Sequence, residues 1–384
     1  MTVPRSVLFS PEHEEFRGTV RRFVDKEIRP NVEQWEEEEQ FPRELFLRFG
    51  SLDLLGLQYP EAYGGTGAGI LYEAVLFEEL GRCGSGGVAA GIGAHVAIAT
   101  PPIFHFGSEE QRRRWLKPAI SGHLVAALGV TEPSGGSDIA HVESTARREG
   151  DTYILNGTKI FITNGVHADL VVVLARTTPE GGHHGLSLLV VEKNTPGFTV
   201  GRKLKKLGWR ASDTAELVFQ DCRVPVANRL GKENEGFQMV VANFQWERLW
   251  IAIMAVEEAQ RSLELAMEYA ANRVQFGKTL ASMPVIRHKI ADMALAVQQA
   301  RHLTYHALWL HSQGVRCTKE VSMAKIAATE ADVRVADQAL QIHGGYGYMM
   351  EYPIQRAWRD ARLGPIGAGT NEIMREIIAK ELDL

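Results

Sequence analysis

Cysteine is scarce in this sequence: three residues in 384, Cys83, Cys222 and Cys317, lie far apart and form no CxxC pair. An odd, scattered set excludes a disulfide framework and offers no zinc-ligand spacing, so a reducing, cytoplasmic setting is expected. Neither sign of charge is in excess. With 42 basic against 47 acidic side chains and a net charge of -5, bulk charge gives no footing for nucleic acid. The N-terminus lacks a basic stretch followed by an apolar core, so no secretory signal is expected. Proline (15) is far outnumbered by glycine (37), which favours tight backbone approaches over rigid linkers. One stretch, 83–108, has no Asp, Glu, Lys or Arg and is long enough to span a bilayer. Its six glycines after Cys83, Pro101, Pro102, His95 and His105 favour a buried core helix, so no membrane segment is expected. A hydrophobic fraction of 45% and a charged fraction of 23% then describe an ordinary globular chain, which excludes disorder and fibres. The length suggests about two or three domains.

The common phosphate motifs are missing too. No GxGxxG joins a strand to a helix and no GxxxxGK[ST] is present, so a Rossmann site and a P-loop are both unsupported. What is present changes period along the chain. Residues 1–124 read as helical: Ser10-Pro11-Glu12 opens a helix, Phe16, Val20, Phe23 and Ile28 follow at helical spacing, and Pro30 is expected to stop it. The acids 36–39 are expected on a solvated face, and Ser108 with Gln111 reads as a capping box. Residues 125–233 carry short Val/Ile/Leu-rich runs, with Asn156-Gly157 expected as a hairpin turn. Residues 234–384 carry long apolar-periodic segments at 236–273, 283–312, 318–343 and 367–382, expected as a four-helix bundle. His183-His184 lacks a third ligand, and so does the pair His302 and His306, so no metal is expected.

Three stretches are richer in glycine and polar residues than a fold requires: 129–138 (GVTEPSGGSD), 341–348 (QIHGGYGY) and 367–372 (GAGTNE). Exposed N–H groups and hydroxyls in such loops suit a polar ring or a phosphate, and a helix N-terminus favours anions. Glu247 stands out among single residues. On a helix its same-face neighbours are Val240, Asn243, Phe244, Trp250, Ile251 and Met254, five of them apolar. Desolvation raises such a carboxyl toward a pKa useful for proton abstraction, although a buried Glu satisfied by a distant partner fits the same pattern.

Together these motifs resemble the acyl-CoA dehydrogenase family of FAD-dependent flavoproteins, over about residues 8–384. The 129–138 loop resembles one family signature, departing only at His141, and 341–360 resembles another, with Gly344, Gly345, Gly347, Glu351, Arg356 and Asp360 in register. LQYPEAYGGTG (57–67) and RVQFGK (273–278) are further landmarks. The resemblance implies a helical domain, a middle β-barrel or sandwich domain and a C-terminal four-helix bundle, assembled as a homotetramer that uses electron-transfer flavoprotein as electron acceptor. It implies that Val130, Thr131, Gly136, Ser137, Phe161, Ile162 and Thr163 contact the flavin. By the same resemblance Arg273, Gln341, Gly344 and Gly345 hold a neighbour's FAD, Phe276 also binds the cofactor, and Thr370 and Glu372 reach FAD from the last helix. Pro284 stands where relatives often have a FAD-contacting Gln. Many members carry the catalytic Glu where this chain has Ala368, but isovaleryl and long-chain members carry it in an earlier Glu-Arg-Leu, matched by Glu247-Arg248-Leu249.

The implied reaction is α,β-dehydrogenation of an acyl-CoA to the trans-2-enoyl-CoA in fatty-acid or branched-chain catabolism. Glu247 takes the α-proton, and the Ala368 backbone N–H stabilises the thioester oxygen. Ser137, Gln238, Gln245, Trp246, Arg248 and Gly369 are implied at the substrate. The segments 201–217 and 343–353 most resemble long-chain members. An acyl-CoA oxidase or related flavoenzyme on the same fold remains the alternative. A DNA-binding branch is disfavoured, because residues 353–384 hold five Arg or Lys with balancing acids.

Overall fold

The computed structural model describes residues 8–384. Helix α1 (Pro11–Phe23) starts at Ser10, as its cap, first-turn acids and proline require. Pro30 does not stop the run. The chain widens into a π turn at Val24–Ile28, tightens through Arg29–Asn31 and resumes as a helix over Val32–Glu37. Proline sits at the start of the new turn, where its missing N–H is no loss. Glu36 is buried rather than solvated, its Oε1 accepting from Ser85 Oγ at 2.7 Å and from Ala211 N at 3.1 Å. It thereby ties the N-terminal helices to the sheet region.

Helix α2 (Ile70–Gly81) packs beside α3, the charge-free stretch Gly86–Phe106. By length and composition α3 is long enough to cross a membrane, yet 89% of its apolar window is buried inside the protein. Gly93 shows why glycine recurs there: a Cβ would lie 2.8 Å from the ring of Trp250 on a later helix.

The middle of the chain forms one eight-stranded sheet from β1 (Ala126–Gly129), β2 (Thr145–Glu149), β3 (Thr152–Thr163), β4 (Leu170–Arg176), β5 (Leu186–Glu192), β6 (Phe198–Lys203), β7 (Thr214–Pro225) and β8 (Arg229–Leu230). Its order is β6-β7-β3-β2-β4-β5-β8, with β1 beside β4. Strands β2 and β4 meet only at Thr145–Arg176, so the sheet has two wings that enclose a core of Tyr153, Leu155, Val171, Val173, Leu189 and Phe219. Alternate residues of β4 (Leu170, Val172, Leu174) point the other way, into the helical core.

Asn156-Gly157 is not a hairpin turn. Strand β3 runs through it, because both flanks pair with β7 instead of with each other, and the register shifts there by a bulge. Gly157 has φ +147°, its Cβ would fall 2.2 Å from Ser144 Oγ, and Asn156 Oδ1 accepts from Asp221 N at 2.8 Å. The turn chemistry is used inside a strand.

The C-terminal part holds α4 (Gly236–Asn272), α5 (Pro284–Ser312), α6 (Thr318–His343), α7 (Pro353–Ala361) and α8 (Asn371–Glu381). Three long helices carry the bundle; the expected fourth begins at Asn371 and is short, and α7 was not anticipated. Helix α4 is buried on every side from 246 to 257, so its middle belongs to the shared core.

Candidate active site

Glu247 lies in that buried middle turn and is 5% exposed. Asn243, one turn earlier, donates Nδ2 to Glu247 Oε1 at 2.8 Å and to the Ala97 carbonyl of α3 at 2.8 Å. No ion pair reaches Glu247 among the described residues. Burial therefore dominates and pushes its carboxyl up to about 7, against the smaller pull of Asn243 and the Arg248 charge.

The next residue points elsewhere. The Arg248 guanidinium lies 5.1 Å over the Phe244 ring and is buried, with Nε lacking a partner. A Cβ built on Gly369 would sit 3.9 Å from Arg248 Nη2, so α4 meets the lead-in to α8 here. In that lead-in Ala368 (φ 51°) and Gly369 (φ 89°) are both left-handed, a conformation that costs a non-glycine residue on the order of 1 kcal/mol. Thr370 then caps α8, its Oγ1 accepting from Ile373 N at 3.3 Å. Glu372 is exposed on the first turn, its carboxyl lowered by its own backbone N–H and by Thr370.

The 129–138 loop is pinned to β3. Glu132 Oε1 pairs with Lys159 Nζ at 2.7 Å and accepts from Ser144 N at 2.9 Å, while Ile160 N donates to Thr131 O at 2.9 Å. Burial would raise the Glu132 carboxyl, but the Lys159 ammonium and hydrogen bonds hold it below its usual value. The Lys159 ammonium is pushed down to about 8 by burial, against the attraction of Glu132. Strand β3 then carries a second register shift between Lys159 and Ile162, and Phe161 at φ 61° turns its ring outward, 65% exposed. Ile162 is buried in the wing core. Thr163 is half-buried, as are Val130 and Thr131; Gly136 and Ser137 are exposed. Asn164 Nδ2 donates to Gly91 O of α3 at 2.8 Å. Loop, strand end, α3 and Glu247 are thus linked in series by hydrogen bonds.

A second group stands apart. Arg273, Gly344 and Gly345 line a groove of about 530 Å³ with Tyr269 and Tyr346, and the Arg273 guanidinium lies 5.3 Å from the Tyr346 ring. A Cβ on Gly344 or Gly345 would meet nothing within 4 Å. Gln341 is exposed, and Phe276 stands 94% exposed on a short hairpin; neither lines the groove. Twenty-six residues separate Arg273 from Glu247, nearly all helical, which at 1.5 Å per residue is about 39 Å. The groove and Glu247 therefore stand well apart along the chain.

Not every expected substrate residue faces Glu247. Trp246 donates Nε1 to the buried Glu73 at 2.7 Å and stacks 5.9 Å from His311. Gln245 donates to Thr318 Oγ1 at 3.0 Å, and Gln238 is exposed. Sequence reasoning named Asn243 only as a helix-face neighbour and missed Lys325, whose Nζ donates to Gly369 O. Its place in the apolar row Val321, Ala324, Ala328 was the available signal. Among the described residues no group of three metal-type ligands occurs.

The donor set fits a flavin dinucleotide: a groove with an arginine and two open glycines suits a diphosphate, and an outward aromatic ring beside a hydroxyl-bearing loop suits a flat polar ring. Comparisons with known proteins agree. Family models described as acyl-CoA dehydrogenase N-terminal, middle and C-terminal domains match residues 10–123, 127–222 and 234–382. An acyl-CoA dehydrogenase of Bacillus subtilis is 46% identical over 95% of this chain and 96% of its own. The long-chain specific enzyme of Sus scrofa (98% of this chain, 87% of its own) and the short-chain specific enzyme of Rattus norvegicus (99% and 92%) are each 41% identical. The crystal structure of acyl-CoA dehydrogenase from Geobacillus kaustophilus superposes with a TM-score of 0.96 at 44% identity, over 99% of this chain and 100% of that one.

Proposed function

The chain belongs to the acyl-CoA dehydrogenase family, and from that premise we propose that it converts an acyl-CoA thioester to the trans-2-enoyl-CoA with Glu247 as the base. It is an oxidoreductase acting on acyl-CoA, and its cofactor is FAD. The observation that carries the reading is Glu247 itself: a carboxyl buried among apolar groups, held by one amide, with no cation paired to it and a pKa near 7. Such a group accepts a proton near neutral pH and is oriented before substrate arrives.

The chemistry divides among the chain's residues. Glu247 takes the proton from the α-carbon. The carbonyl oxygen gains charge as that proton leaves, and the Ala368 N–H, presented by the left-handed 368–369 backbone, donates to it. Bound FAD supplies the acceptor for the hydride that leaves the β-carbon. Arg248 and Gly369 border the reacting end, and Ser137, Gln238, Gln245 and Trp246 belong to the acyl or CoA side.

The flavin ring is held by Val130, Thr131, Gly136, Ser137, the Phe161 ring, the Ile162 backbone and Thr163, with Thr370 and Glu372 at the start of α8. Arg273, Gln341, Gly344 and Gly345 hold the diphosphate and adenosine of a second copy's FAD, and Phe276 also contacts the cofactor. The separation of about 39 Å along α4 supports that division. Exposed Val285, Leu295, Leu303 and Trp309 on α5 give such copies an apolar surface to share, in a homotetramer. Electrons pass on to electron-transfer flavoprotein. The three cysteines are buried and unpaired, in keeping with the cytoplasm.

Purified protein is expected to be yellow and to reduce a dye with acyl-CoA. Glu247→Gln keeps FAD and loses activity by about 10³-fold. Retention of activity by that variant removes Glu247 as the base. Long-chain and short-chain relatives are equally similar, so a panel of acyl-CoA lengths fixes the substrate.

A further inference from the structure

We propose that Lys325 is a positioning residue that holds the Gly369 carbonyl and so fixes the neighbouring Ala368 N–H against the thioester oxygen. The inference rests on the role given to Ala368 above. Lys325 is fully buried in α6, and its Nζ donates to Gly369 O at 2.8 Å and to Asn371 Oδ1 at 2.9 Å. Asn371 is itself buried and held by Thr329 Oγ1 at 3.2 Å and Glu330 Oε1 at 3.3 Å. The lysine therefore grips the 368–371 segment at two points from a rigid helix.

That segment needs an outside hold. Two successive residues are left-handed; glycine adopts that conformation freely, but Ala368 does not hold it without support. The ammonium has no carboxylate within ion-pair distance among the described residues. A buried lysine is ordinarily neutralised by such a partner; here a backbone carbonyl next to the reacting centre takes that place. Arg248 also lies beside Gly369, so two buried cations stand near the place where the thioester oxygen gains charge. The groups facing Lys325 are Arg248 of α4, Glu330 of α6 and Glu372 of α8. Burial pushes its ammonium down to about 8, Arg248 adds to that, and the two glutamates oppose it.

The test uses FAD-loaded protein and a 3-thiaacyl-CoA, in which sulfur replaces the β-methylene. Its α-protons can leave, but there is no β-hydride, so proton exchange into D2O reads enolate formation alone. In Lys325→Met, FAD content and analogue affinity stay near wild type while exchange falls by about tenfold or more, and Lys325→Arg regains part of it. The wild-type exchange rate rises through about 7 as Glu247 ionises and declines above about 8; the decline is absent in Lys325→Met. A fall smaller than about tenfold in a FAD-loaded Met variant overturns the inference. If that variant fails to fold, Lys325→Gln is judged by the same threshold. Glu247→Gln separates the two claims: exchange that survives in it sinks the base assignment, whereas exchange lost there but kept in Lys325→Met sinks only the role of Lys325.

Discussion

Asn243 Nδ2 lies 2.8 Å from Glu247 Oε1, and this amide is the only hydrogen-bond donor to that carboxyl among the described residues. It stabilises the ionised form, opposing the burial that raises the pKa to about 7. Asn243→Leu is expected to raise that pKa further, by about one unit or less. The acid limb of kcat/KM, rising through about 7 in wild type, then moves to higher pH with little change in the plateau. An unmoved limb would show that Asn243 does not govern the base.

The same raised pKa has a stability consequence. Between 4.5 and about 7 the folded protein holds a proton on Glu247 that the unfolded chain has lost, so stability falls as pH rises through this window. Glu247→Gln removes that dependence. Relative to wild type it is expected to gain on the order of 3 kcal/mol between pH 5 and pH 8. Denaturant unfolding of both proteins at the two pH values measures this, and equal differences at both contradict it.

Lys159 and Glu132 form a buried pair under the 129–138 loop. Lys159→Met leaves Glu132 uncompensated and is expected to cost about 3–5 kcal/mol. The loop should loosen with it, so FAD is lost on gel filtration before the sheet unfolds. The double variant with Glu132→Gln should recover much of the stability; no recovery would mean the pair is not the source of the loss.

Gly345 faces open groove, where an added Cβ meets nothing within 4 Å, so Gly345→Leu is expected to fold normally. If the groove holds a diphosphate, FAD affinity drops at least tenfold with Tm of the apoprotein unchanged, by about 1.4 kcal/mol or more of lost binding. Unchanged FAD affinity would place the diphosphate elsewhere.

Because Arg273 lies just past the C-terminal end of the helix that carries Glu247, each site should draw them from different copies. Arg273→Ala and Glu247→Gln are each expected to be nearly inactive. Co-refolding them should restore about a quarter of wild-type activity, since a random mixture gives mixed pairs with one intact site. No restoration would place both residues in one copy's site.

Much of this was legible in residue order. The helix over Pro11–Phe23, the capping box at Ser108 and the long helices followed from local periodicity and capping. Glu247 could be picked out because helical spacing fixes its neighbours. Asn156-Gly157 misled for a physical reason: a dipeptide suited to a turn is equally suited to a bulge, and pairing with β7, 60 residues away, decided between them. Glu36 misled likewise, because Ser85 and Ala211 come from distant segments.

By itself the sequence singled out the candidate residues, since helix period, capping and motif order are local properties. Only the tertiary structure decided where those residues stand: that Glu247 is buried on all sides, that Arg248 and Lys325 both lie against Gly369, and that about 39 Å of helix separates Arg273 from Glu247. Desolvation, hydrogen bonding to a distant carbonyl and reach along a rigid helix all depend on contacts between remote segments, and no local pattern encodes them.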